Sequence, residues 1–208
     1  MLLVFIKKRF WGLSGFTAVA AFAQGRTESA FVRAARAGDK DAFQALMSLS
    51  EKPLRQFASR RVPKTDLDDV LQETWVSIWQ SLARFEGETR FREWAYSICF
   101  RKVQDYWRRE RVRSGNNHVE LLDGQAAYFP KEFEQVELRD SFEAFWRSCP
   151  EEQREVLAMY YGDGFTLKEI GEVLGRNLNT VKYQFYRAHE QAAEQLPHFD
   201  VQSRRGSR

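Results

Sequence analysis

An all-α chain is predicted, with two small helical domains joined by a flexible linker, and three observations carry that prediction. Apolar residues recur at three- and four-residue steps from about Glu28 onward. No segment of convincing length alternates apolar and polar with the period of a strand. One stretch, 114–135, interrupts the helical pattern with turn residues and acids. With 208 residues, 43% of them hydrophobic and 29% charged, the chain can bury one or two modest cores, and wholesale disorder is excluded. Its net charge of +3 is too small to identify a nucleic-acid binder, so the distribution of charge must decide. Two cysteines, Cys99 and Cys149, make neither a disulfide framework nor a four-thiolate zinc site.

Taken in order, the first element is a leader, 1–27. Lys7, Lys8 and Arg9 precede an uncharged stretch ending in Ala21-Phe22-Ala23, a pattern like a secretory signal. Gly12, Ser14, Gly15 and Thr17 dilute its hydrophobicity, so a disordered leader, a packed helix or a start assigned too early remain as readings. The chain beyond Arg26 argues for the cytoplasm, and no run of 18 apolar residues suggests stable membrane insertion.

The first domain spans 28–113. Phe31, Ala34 and Ala35 share one helical face, and Ala42, Phe43, Leu46 and Leu49 share the next. Gly38-Asp39 separates the two, with Asp39 or Asp41 as a cap. Pro53 and Pro63 punctuate the following segment. Asp66 opens a strongly patterned helix carrying Leu67, Val70, Leu71, Trp75, Ile78, Trp79 and Leu82, whose polar face shows Asp66, Asp69, Gln72, Glu73 and Gln80. A polar loop, 86–90, leads to a helix with Phe91, Trp94, Ala95, Ile98, Val103 and Trp107. Residues 101–113 hold six basic and two acidic residues, with Trp94, Tyr96, Phe100, Tyr106 and Trp107 interleaved or nearby. Cations that track a backbone beside rings that can stack on bases suit single-stranded nucleic acid, although tryptophan on a helix commonly packs in a core.

The linker, 114–135, is acidic in character. The second domain, 136–196, begins with Leu138, Phe142, Phe145 and Trp146, and Pro150-Glu151-Glu152 reads as a helix N-terminus. Thr166 with Glu169 forms a capping box before Ile170, Val173 and Leu174, and Gly175 ends that helix. Asn179-Thr180 begins another, with Val181, Phe185 and Ala188 inward and Lys182, Tyr183, Gln184 and Arg187 outward. This is a helix-turn-helix layout, whose second helix reads base edges; the bland alternative is two packed helices with a solvated basic face. A basic tail, 197–208, closes the chain.

These pieces together resemble the extracytoplasmic-function (ECF) sigma factors of the sigma-70 family. Region 2 resembles Asp66-Leu67-Asp68-Asp69-Val70-Leu71-Gln72-Glu73-Thr74-Trp75, followed by Arg84-Phe85-Glu86-Gly87 and Phe91-Arg92-Glu93-Trp94. Region 4 resembles Pro150-Glu151-Glu152-Gln153-Arg154-Glu155-Val156, then Thr166-Leu167-Lys168-Glu169-Ile170-Gly171 and Thr180-Val181-Lys182. The resemblance implies a transcription initiation factor that binds core RNA polymerase at its β′ clamp and β flap, melts the promoter −10 element and reads the −35 element. It implies polymerase contacts at Asp69, Gln72, Glu73 and Gln80. It implies −10 contacts at Arg84, Glu86, Gly87, Thr89, Arg90, Arg92, Trp94, Arg101, Lys102 and Arg108, and −35 contacts at Arg176, Asn179, Thr180, Lys182, Tyr183, Gln184 and Arg187. An anti-sigma factor is an implied partner.

Two departures from the family pattern bear on specificity. Cys99-Phe100-Arg101 follows Ile98 where Arg-Asn is common, and Tyr183-Gln184 follows Lys182 where Ser-Arg is common. Asn179 replaces a common glycine, and could cap the helix or adopt a left-handed conformation. No catalytic triad, metal cluster or phosphate loop is present in the sequence, so neither enzymatic activity nor a metal or cofactor is expected; His118, His189 and His198 read as structural or surface residues. The alternative is a helix-turn-helix regulator that acts without polymerase. It has no use for the acidic face of the 66–82 helix.

Overall fold

The computed structural model describes residues 28–87, 90–114 and 136–195, so the readings made for the leader, the linker beyond Ser114, the tail and Thr89 lie outside the described residues, and Ser114, read as the start of the linker, is helical. The chain divides into two compact units, Met1–Asn117 and His118–Arg208. All regular structure among the described residues is helical.

In the first unit, α1 (Glu28–Arg36) buries Phe31, Val32 and Ala35. Gly38 turns the chain at φ +96°, and Asp39 caps α2 (Lys40–Ser59) by accepting from the backbone N–H groups of Asp41 and Ala42 at 2.9 and 3.0 Å. Pro53 does not punctuate this segment. It lies inside α2. An interior proline costs about 3 kcal/mol. Just beyond it Leu54 and Phe57, each 1% exposed, gain about 1.5–3 kcal/mol apiece by burial, so packing outweighs the break.

Arg61 follows α2 and is buried. Its guanidinium lies 3.7 Å from the centre of the Phe57 ring, its Nη1 donates to the Phe57 carbonyl, and its own carbonyl accepts from Trp107 Nε1 at 2.8 Å. Helix α3 (Leu67–Ser81) buries Leu67, Val70, Leu71, Trp75 and Ile78, as the periodicity predicts, and Thr74 besides, while Trp79 is half-buried; the chain continues into a 3-10 turn, Leu82–Arg84. Asp66 precedes α3 without capping it. Its carboxylate instead accepts from the hydroxyls of Thr65 and Tyr106. The long α4 (Phe91–Ser114) packs against α2 and α3 and closes the bundle.

In the second unit, α5 (Val136–Ser148) stacks Phe142 on Trp146, with ring centres 5.7 Å apart. As the sequence predicts, α6 (Glu151–Leu157) starts directly after Pro150. A π-helical turn, Ala158–Gly162, then leads through Phe165, which is 2% exposed, into α7 (Leu167–Leu174) and α8 (Leu178–Gln195). Phe145, Val156, Met159, Ile170 and Val181 make the core, and α8 packs on α5, α6 and α7.

Candidate nucleic-acid interface

The turn between α7 and α8 is specified residue by residue. Thr166 Oγ1 accepts from the Glu169 N–H at 3.2 Å while Glu169 Oε2 accepts from the Thr166 N–H at 2.9 Å, completing the capping box. Gly175 ends α7 with φ +66°, a left-handed conformation that favours glycine. Gly171 lies where α7 meets the turn. A Cβ there would stand 2.8 Å from the Arg176 carbonyl oxygen, while the Arg176 N–H donates to the Gly171 carbonyl at 2.9 Å. Helix α8 begins at Leu178, one residue before the predicted start. Its cap is Asn177, whose Oδ1 accepts from the Thr180 N–H at 2.8 Å and from the Thr180 hydroxyl at 3.0 Å. Asn179 is therefore neither the cap nor left-handed; it lies in the first turn of the helix, and no described non-glycine residue has positive φ.

Val181, Phe185 and Ala188 face inward. Asn179, Lys182, Tyr183 and Arg187 are exposed and Thr180 is half-buried, so one surface of α8 gathers most of the expected −35 set beside the positive end of the helix dipole. Arg187 donates to Glu190 at 2.9 Å. Two expected residues sit differently. Arg176 directs its guanidinium to Glu155 and Gln184, and Gln184 is half-buried. One residue escaped the sequence reading. Tyr186, 53% exposed, lies one turn beyond Tyr183 on the same surface, a signal that three-residue spacing from Tyr183 could have given.

In the first unit, Arg84, Glu86, Gly87, Arg90 and Arg92 are exposed around the loop that precedes α4. Trp94 is half-buried, 4.7 Å from Phe85 and 5.8 Å from Phe91 between ring centres, so part of this indole stays accessible beside the loop. Arg101 and Arg108 are exposed further along α4 and Lys102 is half-buried. From Arg92 to Arg108 this cationic set extends over about 24 Å at the helical rise per residue.

The other rings are core. Tyr96, Phe100, Tyr106 and Trp107 are buried, which removes them as stacking platforms. Burial first and the Asp66 carboxylate second push the Tyr106 hydroxyl up to about 12. Several α4 cations have local acidic partners, Arg108 with Asp105 at 3.0 Å and Arg113 with Glu110 at 2.9 Å. Exposed pairs of this kind contribute about 0–1 kcal/mol, so they yield readily to a phosphate.

On α3, Asp69 and Gln80 are exposed and Gln72 and Glu73 half-buried, and their spacing places all four on one stripe. Glu73 receives both terminal nitrogens of Arg109, from α4, at 3.0–3.4 Å. The acidic stripe and the basic helix thus meet through one forked ion pair.

Both units have counterparts among known proteins. Residues 46–113 match the family described as sigma-70 region 2, and residues 150–191 match sigma-70 region 4. The chain is 24% identical over 179 residues to the ECF RNA polymerase sigma-E factor of Haemophilus influenzae, covering 81% of this chain and 94% of that one. Among solved structures, CnrH in complex with the cytosolic domain of CnrY superposes with a TM-score of 0.56 at 25% identity, covering 79% of this chain and 93% of that one. The sigma factor RpoE of Bartonella quintana, in complex with the anti-sigma factor NepR, superposes with a TM-score of 0.53 at 22% identity, covering 76% and 98%, a likeness of fold.

Proposed function

This chain belongs to the sigma-70 family, as an alternative sigma factor of the ECF group that directs RNA polymerase, and from that premise we propose how its two helical units divide promoter selection. The observation that carries the reading is the outward surface of α8, where Lys182, Tyr183 and Arg187 stand exposed on a helix whose start is fixed by the Asn177 cap.

The second unit lays α8 in the major groove of the −35 element. Lys182 and Arg187 contact phosphates; Asn179, Thr180, Tyr183, Gln184 and Tyr186 face base edges and sugars, and Arg176 supports them from the turn. The first unit docks on the β′ clamp through Asp69, Gln72, Glu73 and Gln80, a stripe suited to a cationic partner, while the β flap holds the second. Arg84, Glu86, Gly87, Arg90, Arg92 and Trp94 form the lip that receives an extruded −10 base, and Arg101, Lys102 and Arg108 hold the strand. Opening the duplex costs about 1.4 kcal/mol per stacked step. Base capture at Trp94, stacking at about 1–3 kcal/mol per base, offsets one or two such steps, and polymerase contacts supply the rest. An anti-sigma factor would control the protein by covering these surfaces, and its place of action is the cytoplasm. No described helix is long and apolar enough to cross a membrane.

Run-off transcription with purified core polymerase and a promoter library tests the reading. Start sites that depend on this chain are expected. Specific DNA binding without any start-site selection would instead favour the polymerase-independent regulator, which otherwise leaves the α3 stripe without a role.

A further inference from the structure

Arg176 is built into the recognition surface from both sides. The residue sits in the turn, its backbone anchored by its N–H to the Gly171 carbonyl at 2.9 Å. Its guanidinium is forked between two partners. Nη2 donates to Glu155 Oε2 of α6 at 3.0 Å, where the Glu155 side chain is 9% exposed, and Nη1 donates to Gln184 Oε1 of α8 at 3.2 Å. The Arg176 side chain itself is only 25% exposed. Buried Glu155 therefore anchors the cation, and the cation orients the amide.

The chemistry leaves one orientation. Arginine only donates, so the amide oxygen of Gln184 must face it and the NH2 must point away. A free glutamine reads adenine with both ends of its amide, accepting from N6 and donating to N7. Here the oxygen is already engaged, and the adjacent positive charge opposes the approach of a second N–H donor. The same charge polarises the amide and strengthens the NH2 as a donor.

We infer that Arg176 is a positioning residue that makes Gln184 a one-way donor, so that the −35 base it meets must present acceptors in the major groove, guanine foremost. Guanine offers N7 and O6, thymine offers O4, adenine offers N7 beside a donor, and cytosine offers a donor alone. The order of preference on the contacted strand is guanine, thymine, adenine, cytosine. This inference rests on the −35 reading of α8.

The test uses the full chain assembled with core polymerase, selecting from duplexes randomised across the −35 element, with sequencing of the bound fraction. The wild-type protein should prefer guanine to adenine about tenfold at one position, the low end of what a good base contact supplies. Q184A should flatten that position alone. R176M, which keeps the length but loses the fork, should bring adenine level with guanine or above it. Q184E, which retains its partner in Arg176, should turn the position toward donor-bearing cytosine or adenine even if R176M folds poorly. A uniform loss of affinity in R176M with the guanine preference intact would mean a merely structural arginine and overturns the inference, as does an unchanged profile in Q184A or Q184E. A wild-type profile flat at every position overturns the −35 reading itself, and this inference with it.

Discussion

Replacing Gly171 with alanine puts a methyl group where the structure has no room for one. The new Cβ would lie 2.8 Å from the Arg176 carbonyl oxygen, about 0.6 Å short of the 3.4 Å at which ordinary contact begins. The opposing atom belongs to the backbone of the turn, directly after Gly175, which is already committed to φ +66°, so it cannot rotate away like a side chain. Alanine in a helix interior gains about 1 kcal/mol over glycine. Forcing an extra methyl into a close-packed site costs about 1–3 kcal/mol. The net expectation is a loss of about 0–2 kcal/mol from the second unit, toward the upper end because the opposing atom is backbone. DNA binding should fall more than stability does, because the displaced turn carries both Arg176 and the Asn177 cap of α8. Urea denaturation of the full chain, followed by circular dichroism, gives the first quantity, and binding to a −35 duplex gives the second. If the variant proves as stable as the wild type and binds equally well, the close approach does not constrain the turn and the reasoning is refuted.

Three further outcomes are expected. Replacing Gln72 and Glu73 together with alanine should weaken polymerase binding, while loss of the exposed Glu73–Arg109 pair should change stability by about 1 kcal/mol or less; unchanged affinity in a pull-down titration would reject the stripe. Lys182→Ala and Arg187→Ala should each lower promoter affinity and reduce the slope of log affinity against log salt by about one; a slope that does not move would remove them from the phosphate contacts. Burial holds the His189 imidazole below its ordinary value, where it bonds the Tyr161 hydroxyl at 3.0 Å. The unfolded chain, with an ordinary histidine near pH 6.5, takes up a proton first, so the second unit should lose stability as pH falls below about 6.5 and be insensitive to this group above it; denaturation of wild type and His189→Gln at pH 5.5 and 7.5 should show the difference shrinking in the variant.

Much of this architecture is legible from periodicity and capping chemistry because both are local. The α3 stripe, the Thr166–Glu169 box, Gly175 and the start of α6 after Pro150 all follow from residues within a few positions of one another. The features that sequence alone could not decide depend on distant partners. Pro53 reads as a stop until Leu54 and Phe57 are seen to be buried beyond it. Trp107 fits a base platform as well as a core until its N–H is found on the Arg61 carbonyl, 46 positions earlier. Asn177 and Asn179 are both competent caps, and the structure has Asn177 Oδ1 accepting from the Thr180 N–H while Asn179 lies within the helix. Arg176 reads as a −35 contact because nothing near it in sequence announces Glu155.

The capping network around α7 and α8 has a further implication for how such proteins diversify. Thr166, Glu169, Gly171, Gly175 and Asn177 hold the frame, and none of them belongs to the exposed row of Lys182, Tyr183, Tyr186 and Arg187. On the proposed −35 reading, lettering and scaffold are thus separable, and a lineage could rewrite which promoters it addresses by changing the row without first rebuilding its support. Gln184 is the exception, tethered through Arg176 to the interior, and any revision at that letter must be drafted together with its mount.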